Sequence, residues 1–281
     1  MRAMSEFDLH CHSSISDGTL PPAEVVRRAA ANGVRVLALT DHDEVAGLAE
    51  ARATAAEVGI TLIAGVEISV SWRSHQVHIV GLGLDPEEPI LLARLKAMRD
   101  GRYGRAERMA AELARLGIPG ALEGAGRHAG GSIIGRTHFA RFLVEQGIAK
   151  DVKSVFDHYL ATGKPGYVPH QWASLADALS WIRGAGGIAV IAHPFRYKLS
   201  SNERSNLYKE FKALGGEGIE VAYGSASAQE QRDAASAARR HGFLASCGSD
   251  FHSPGESMID LGRIAPLPED LTPVWSKFRE M

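Results

Sequence analysis

From residue 7 onward, short apolar runs alternate with helical patterns, and a histidine or a carboxylate sits at or near the end of most of the runs. Phe7 to His12 reads as a short strand, Pro21 to Asn32 as a helix with Pro near its start and Gly33 just past its end. Val34 to Thr40 is continuously apolar, the pattern of a strand buried on both faces. A helix over Val45 to Val58 follows, stopped by Gly59, then apolar runs over Thr61 to Val70 and Gln76 to Leu84. Such an order predicts a parallel sheet with crossover helices.

The texture changes after Asp85-Pro86. Ile90 to Leu116 predicts one long helix, or two broken at Gly101 or Gly104, with an Arg-rich face from Arg94 to Arg115 read as solvated. Thr137 to Gln146 and Ser154 to Leu160 are helical, and the Gly-rich stretch Gly120 to Gly135 reads as a connector. The β/α alternation returns with helices over Leu175 to Ala185, Asn206 to Leu214 and Ala226 to His241, and strands over Ile188 to Ala192, Gly218 to Ala222 and Phe243 to Ser246. The expected organisation is an α/β barrel in two parts, 1–89 and 166–281, interrupted by a helical insertion over 90–165.

Marked against these strands, the chemistry-bearing residues fall at one end. His10 and His12 close the first strand, with Asp17 in the loop beyond; His42 follows the second, Glu67 lies late in the third and His78 in the fourth. His193 follows the strand ending at Ala192, and Asp250 and His252 follow the last one. In β/α barrels the C-terminal face of the strands carries the active site. His10 and His12 are two apart on a strand, so both point to one side and can share an ion, while Cys11 points away. A single histidine at a strand end is usually just hydrogen-bonded or exposed. Packed together without cations, however, this many imidazoles and carboxylates would be poorly solvated. Nine candidate ligands exceed the three or four that one zinc takes, so two or three divalent ions are expected. A mixed N and O donor set without cysteine suits Mn, Fe or Zn, with Mn the leading choice.

The formal net charge of −2 argues against coating duplex DNA or RNA, which takes a strongly basic surface. Cys11 and Cys247 form no C-x-x-C pair and are read as reduced thiols. No apolar run approaches the roughly 20 residues of a membrane span, and Met1 to Glu6 is short and polar for a signal peptide, so the expected location is the cytoplasm.

The motifs Asp8-Leu9-His10-Cys11-His12-Ser13 with Ser16-Asp17-Gly18, Thr40-Asp41-His42-Asp43, Gly65-Val66-Glu67, Val77-His78-Ile79, Ala192-His193-Pro194 and Gly248-Ser249-Asp250-Phe251-His252 together resemble those of the PHP (polymerase and histidinol phosphatase) family. The resemblance implies a distorted (β/α)7 barrel with a trinuclear metal centre. It places His10, His12, Asp17, His42, Glu67, His78, His193, Asp250 and His252 at ligand positions. Ile134 to Arg141, Gly163 to Val168, Gln171-Trp172 and His193 to Tyr197 are similar to the subgroup that includes bacterial 3′,5′-nucleoside bisphosphate phosphatases and ribonuclease AM, which also carries a helical insertion here.

Both of those activities cleave the 3′-phosphoester of a nucleotide with a free 5′-phosphate, so the resemblance implies a small nucleotide or short 5′-phosphorylated RNA as substrate. Metals would hold the scissile phosphate and activate water. Glu67 would bridge ions, His193 would assist the leaving 3′-oxygen, and Asp250 completes the expected catalytic set. Arg136, Lys164 and Arg196, with His138 and His170, are candidates for the 5′-phosphate, and Tyr167 or Trp172 for stacking on the base. Three alternatives stand beside this: another PHP phosphomonoesterase such as a histidinol phosphatase, an amidohydrolase, and a non-catalytic RNA-binding module. An amidohydrolase often has a bridging lysine at a strand end, where this chain offers Glu67 instead.

Overall fold

The computed structural model describes residues 5–131 and 133–278. Seven strands wrap into a barrel in the order β1 (Phe7–Asp8), β2 (Val36–Leu39), β3 (Thr61–Trp72), β4 (His75–Leu82), β6 (Ile188–Ile191), β7 (Gly218–Tyr223) and β8 (Leu244–Gly248). A short β5 (Ala173–Ser174) pairs with the far end of β3. Closure is made between β1 and β8: Leu9 N donates to Cys247 O at 2.9 Å and Asp250 N to His10 O at 2.8 Å.

The sheet is not all parallel. β3 and β4 form a hairpin in eight-residue antiparallel register, from Gly65 opposite Leu82 to Trp72 opposite His75, and β4 also runs antiparallel to β6. Only Arg73 and Ser74 separate the two strands, and Arg73 takes a positive φ of 53° to make the turn. A continuous apolar run looks the same in either direction, which is why pattern alone predicted a parallel partner. The reversal puts the start of β4 on the same rim as the ends of the parallel strands, and so delivers His78, opposite Ser69, to that rim.

Strand residues alternate between two apolar clusters. Leu37, Ile68, Ile79, Ile191 and Ile219 pack outward on helices α1 (Pro22–Ala31), α2 (Leu48–Val58), α7 (Leu175–Gly184), α8 (Ser201–Ala213) and α9 (Ala228–His241). Ala38, Val80, Leu82, Val190 and Ala192 fill the barrel, closed from below by Val274 of a terminal 3₁₀ turn. Glu67 and His78 belong to the inward set, above this plug.

Between β4 and β5 lie α3 (Pro89–Arg115), α4 (Ala121–His128), α5 (Arg136–Glu145), α6 (Val152–Val155) and a π-turn over Phe156–Leu160. α3 is unbroken through Gly101 and Gly104. Its first half (Leu91, Leu95, Met98) packs on the barrel, and its second half (Ala106, Met109, Leu113) joins a separate apolar cluster with Phe139, Phe142 and Leu143 of α5. α4 occupies the stretch expected to be a connector. Its Gly124 lies against the Phe142 ring, where an added Cβ would come within 2.2 Å, so the glycine serves a close helix crossing rather than a loop. Among the described residues no helix is long and apolar enough to cross a membrane.

Candidate metal centre

All nine residues marked from the sequence converge on one rim of the barrel. Glu67, fully buried, is the hub. Its Oε1 lies 2.9 Å from His78 Nδ1, 2.9 Å from His193 Nε2 and 3.4 Å from His10 Nε2. Its Oε2 lies 2.9 Å from His42 Nδ1 and 3.4 Å from His12 Nε2. His10 and His12, side by side beyond β1, approach to 3.2 Å through their Nε2 atoms, and His12 Nε2 is 3.3 Å from Asp250 Oδ1. Asp17 Oδ1 is 3.3 Å from His252 Nε2 and 3.9 Å from His42 Nε2. Three overlapping groups have ion-binding spacing: His12, Asp17, His42 and His252; His10, His12 and Glu67; His42, Glu67 and His78.

The donor set fits divalent cations and little else. Glu67 Oε2 and His42 Nδ1 are buried neighbours, yet neither has a hydrogen-bond partner, and the same holds for Asp17 Oδ1, His12 Nδ1 and His193 Nδ1. Buried polar atoms left unpaired cost on the order of 1–3 kcal/mol each. Of these atoms, Glu67 Oε2, His42 Nδ1 and Asp17 Oδ1 face the cluster, where a cation would pair them. Burial opposes ionisation of Glu67, but His42, His78 and His10 outweigh it and hold the carboxyl well below its usual range. Burial likewise opposes ionisation of Asp250 and Asp17. Arg196 and His10 overcome it for Asp250, and His252 and His42 for Asp17. Burial pushes His12 down to about 3 and His78 to about 4, so both rings are neutral, as ligands must be. His42, His78 and His252 keep 13%, 17% and 20% of their side chains exposed, so the centre opens on one side.

An outer layer fixes these ligands. Glu220 on β7 is buried, accepts from His10 Nδ1 at 2.7 Å through one oxygen and from the His193 backbone N–H at 2.6 Å through the other. The first bond holds the His10 proton on Nδ1 and leaves Nε2 free for a metal. A register shift in the β7–β8 pairing occurs at Glu220, a bulge of the kind that re-aims side chains beside sites. The sequence reading missed Glu220. Its signal was a lone carboxylate inside the apolar run Gly218 to Tyr223, which must find a partner if buried. Asp41 folds the Asp17 loop, accepting from Ser13 N at 2.8 Å, Ser13 Oγ at 2.7 Å and Ser16 Oγ at 2.5 Å. His193 and Asp250 take positive φ values of 26° and 53°, backbone strain of the sort held only where the surroundings over-determine it.

The expected substrate contacts separate. Arg196 pairs with Asp250 Oδ2 at the metal centre itself. Arg136 is enclosed beside Tyr167 and Arg102, and burial depresses its pKa. His170 packs on Trp172 with ring centroids 4.2 Å apart, next to Arg105 and Arg108. His138 is fully buried, and its Nδ1 accepts from Gly135 N at 3.0 Å, capping its own helix. Lys164 is exposed, and among the described residues no ion pair or hydrogen bond ties its ammonium to the cluster. The Arg-rich face of α3 is not simply solvated. Arg102 and Arg105 are only 7% and 5% exposed, because a three-residue spacing turns them toward the barrel rim. Arg102 bonds Asp43 Oδ2 through Nε at 2.7 Å, which neutralises it. Among the described residues Arg105 hydrogen-bonds only the Val168 carbonyl, at 3.0 Å, and lies over the Trp172 ring, and burial beside Arg136 and Arg102 lowers its pKa to about 9.

Known proteins resemble the chain in sequence and fold. The family described as PHP domain matches residues 8–221. The chain is 55% identical to a 3′,5′-nucleoside bisphosphate phosphatase of Chromobacterium violaceum, over 97% of this chain and 96% of that one. It is 44% identical to the 5′-3′ exoribonuclease Rnm of Escherichia coli (strain K12), over 98% of this chain and 94% of that one. A solved structure from Chromobacterium violaceum, described as an amidohydrolase with bound sulfate, superposes with a TM-score of 0.95 at 53% identity, covering 98% and 96% of the two chains. Another from Bifidobacterium adolescentis, described as a metal-dependent phosphoesterase, gives 0.83 at 29% identity, covering 98% and 94%. With its barrel, its strand-end donors and this match over most of its length, the chain belongs to the PHP domain family.

Proposed function

We propose that the chain is a phosphoesterase that hydrolyses the 3′-phosphoester of nucleotides carrying a 5′-phosphate. It would release phosphate from nucleoside 3′,5′-bisphosphates, and 5′-mononucleotides from the 5′ end of short RNA. The relatives named for these two activities support the reading. The observation that carries it is a second anion-seeking place beside the metal centre. Arg105 is buried and Arg136 half-buried, and among the described residues neither makes an ion pair. Two such cations gain most from a doubly charged ligand, and arginine suits phosphate.

His10, His12, Asp17, His42, Glu67, His78, His193, Asp250 and His252 would hold two or three divalent ions, which we take as manganese, with iron or zinc as alternatives. When bound, such ions polarise phosphoryl oxygens and lower the pKa of water. The remaining work falls to the chain. Arg105 and Arg136 bind the 5′-phosphate, His170 with Trp172 or Tyr167 walls the nucleoside, and Arg196 reaches an oxygen of the scissile phosphate from beside Asp250. Glu67, held ionised by the histidines around it, would supply the shared negative charge to such ions. His193 Nε2, 2.9 Å from Glu67, can serve an ion or hold the proton that passes to the leaving 3′-oxygen, but not both at once. A barrel of 1–89 and 166–281 with a cap of 90–165, a cytoplasmic setting and no binding of duplex DNA complete the proposal.

The test is manganese-loaded protein given adenosine 3′,5′-bisphosphate, a short 5′-phosphorylated RNA, the same RNA with a 5′-hydroxyl, and histidinol phosphate. Cleavage of the first two with loss of the third is expected. Preference for histidinol phosphate, or indifference to the 5′-phosphate, overturns the assignment.

A further inference from the structure

The loop that carries Asp17 is folded from the barrel side by Asp41 and is also held from the cap. Thr137, in the first turn of α5, donates from its hydroxyl to Asp17 Oδ2 at 2.9 Å, which leaves Oδ1 facing His252 and His42. One turn on, the buried Arg141 donates through Nη2 to the Asp17 carbonyl at 2.8 Å. The same guanidinium grips Glu256 in a fork, Nε to Oε1 at 2.9 Å and Nη2 to Oε2 at 2.7 Å. Glu256 belongs to the turn after β8, where Ser257 Oγ accepts from the His252 backbone N–H at 2.7 Å. Backbone also meets backbone. A Cβ added at Gly130 or Gly131 would come within 2.5 Å of the Ser14 or Ile15 carbonyl oxygen, so the cap lies directly on this loop.

We infer that Thr137 and Arg141 are positioning residues for the outer metal subsite of His12, Asp17, His42 and His252, which is complete only when α5 is docked. Among the described residues Thr137 and Arg141 bond no other candidate ligand, while Glu67 meets its partners within the barrel. The inference rests on the metal reading above, and its consequence is selective. Breaking the clasp weakens one ion and spares the others. Hydrogen-bonded partners of ligands typically carry about 10–100-fold in metal affinity.

The experiment measures manganese bound per chain, by elemental analysis after dialysis against graded free manganese, alongside thermal melts. Thr137→Val removes the hydroxyl at constant shape, Thr137→Ser restores it, and Glu256→Gln loosens the fork without emptying a core position. The valine and glutamine variants should lose one ion at concentrations that saturate the wild type, melt within a few degrees of it once reloaded, and regain turnover at high manganese with an unchanged KM for nucleotide. The serine variant should load normally. Wild-type stoichiometry and affinity in both Thr137→Val and Glu256→Gln overturn the inference alone. A wild-type chain that takes up no metal overturns the metal reading and the inference together.

Discussion

Glu220 shows how one side chain decides the chemistry of its neighbours. Both of its oxygens accept, one from His10 and one from the His193 backbone, and a glutamine can accept at only one of them. Glu220→Gln should therefore lower metal affinity about 10–100-fold while leaving the fold intact, read by metal titration and circular dichroism. A pH prediction follows from His252. Burial disfavours its charged ring, but Asp17 and Asp250 raise its pKa to about 9. Below that value the ring holds a proton that a metal must displace. Metal uptake at pH 7 should release protons and tighten with rising pH up to about 9, measured by calorimetry in two buffers of different ionisation heat. At this scale the strand-end histidines and carboxylates were legible because such residues are rare at the end of an apolar run. Glu220, Arg102 and Arg105 were not, because their partners are distant in sequence.

α3 is the element whose reading changed most. The pattern allowed one long helix or a break at Gly101 or Gly104, and the helix passes through both. An added Cβ at Gly104 meets only Arg108 Nη1 at 3.8 Å, whereas at Gly101 it meets the His170 ring at 3.2 Å. Gly104→Ala should stabilise by about 0.5–1 kcal/mol in chemical denaturation. Gly101→Ala should gain less and raise KM by displacing His170. The inward stripe on the same helix makes a third prediction. Arg105→Ala should raise KM for 5′-phosphorylated substrates about 10–100-fold in steady-state assays, the range for charge-assisted bonds, with a much smaller change in kcat. Helical periodicity located α3 correctly, but the side it turns inward depends on what lies beneath it. Asp43, one residue from the candidate ligand His42, supplies that reason by binding Arg102.

For the whole molecule, the centre lies where β1, β3, β4, β6 and β8 meet, so metal should act as a staple across the barrel closure. Ions at a thousandfold excess over Kd would stabilise the fold by about 4 kcal/mol. Chelation should accordingly lower Tm by roughly 10 °C, reversibly on return of manganese. A chain whose Tm ignores chelator would not use the cluster as a metal site.

Sequence by itself determined the β/α alternation, the presence of helices between β4 and β5 and the set of polar residues gathered at one rim. Those features are local: burial on both faces makes a strand continuously apolar, and a donor breaking that pattern stands out. Tertiary structure decided the direction of β4, the helix hidden at Ala121–His128, the inward turn of Arg102 and Arg105 and the pairing of Asp17 with α5. Each of these depends on contacts between residues far apart in the chain, and an apolar run, a glycine or an arginine has the same local signature whichever partner it meets.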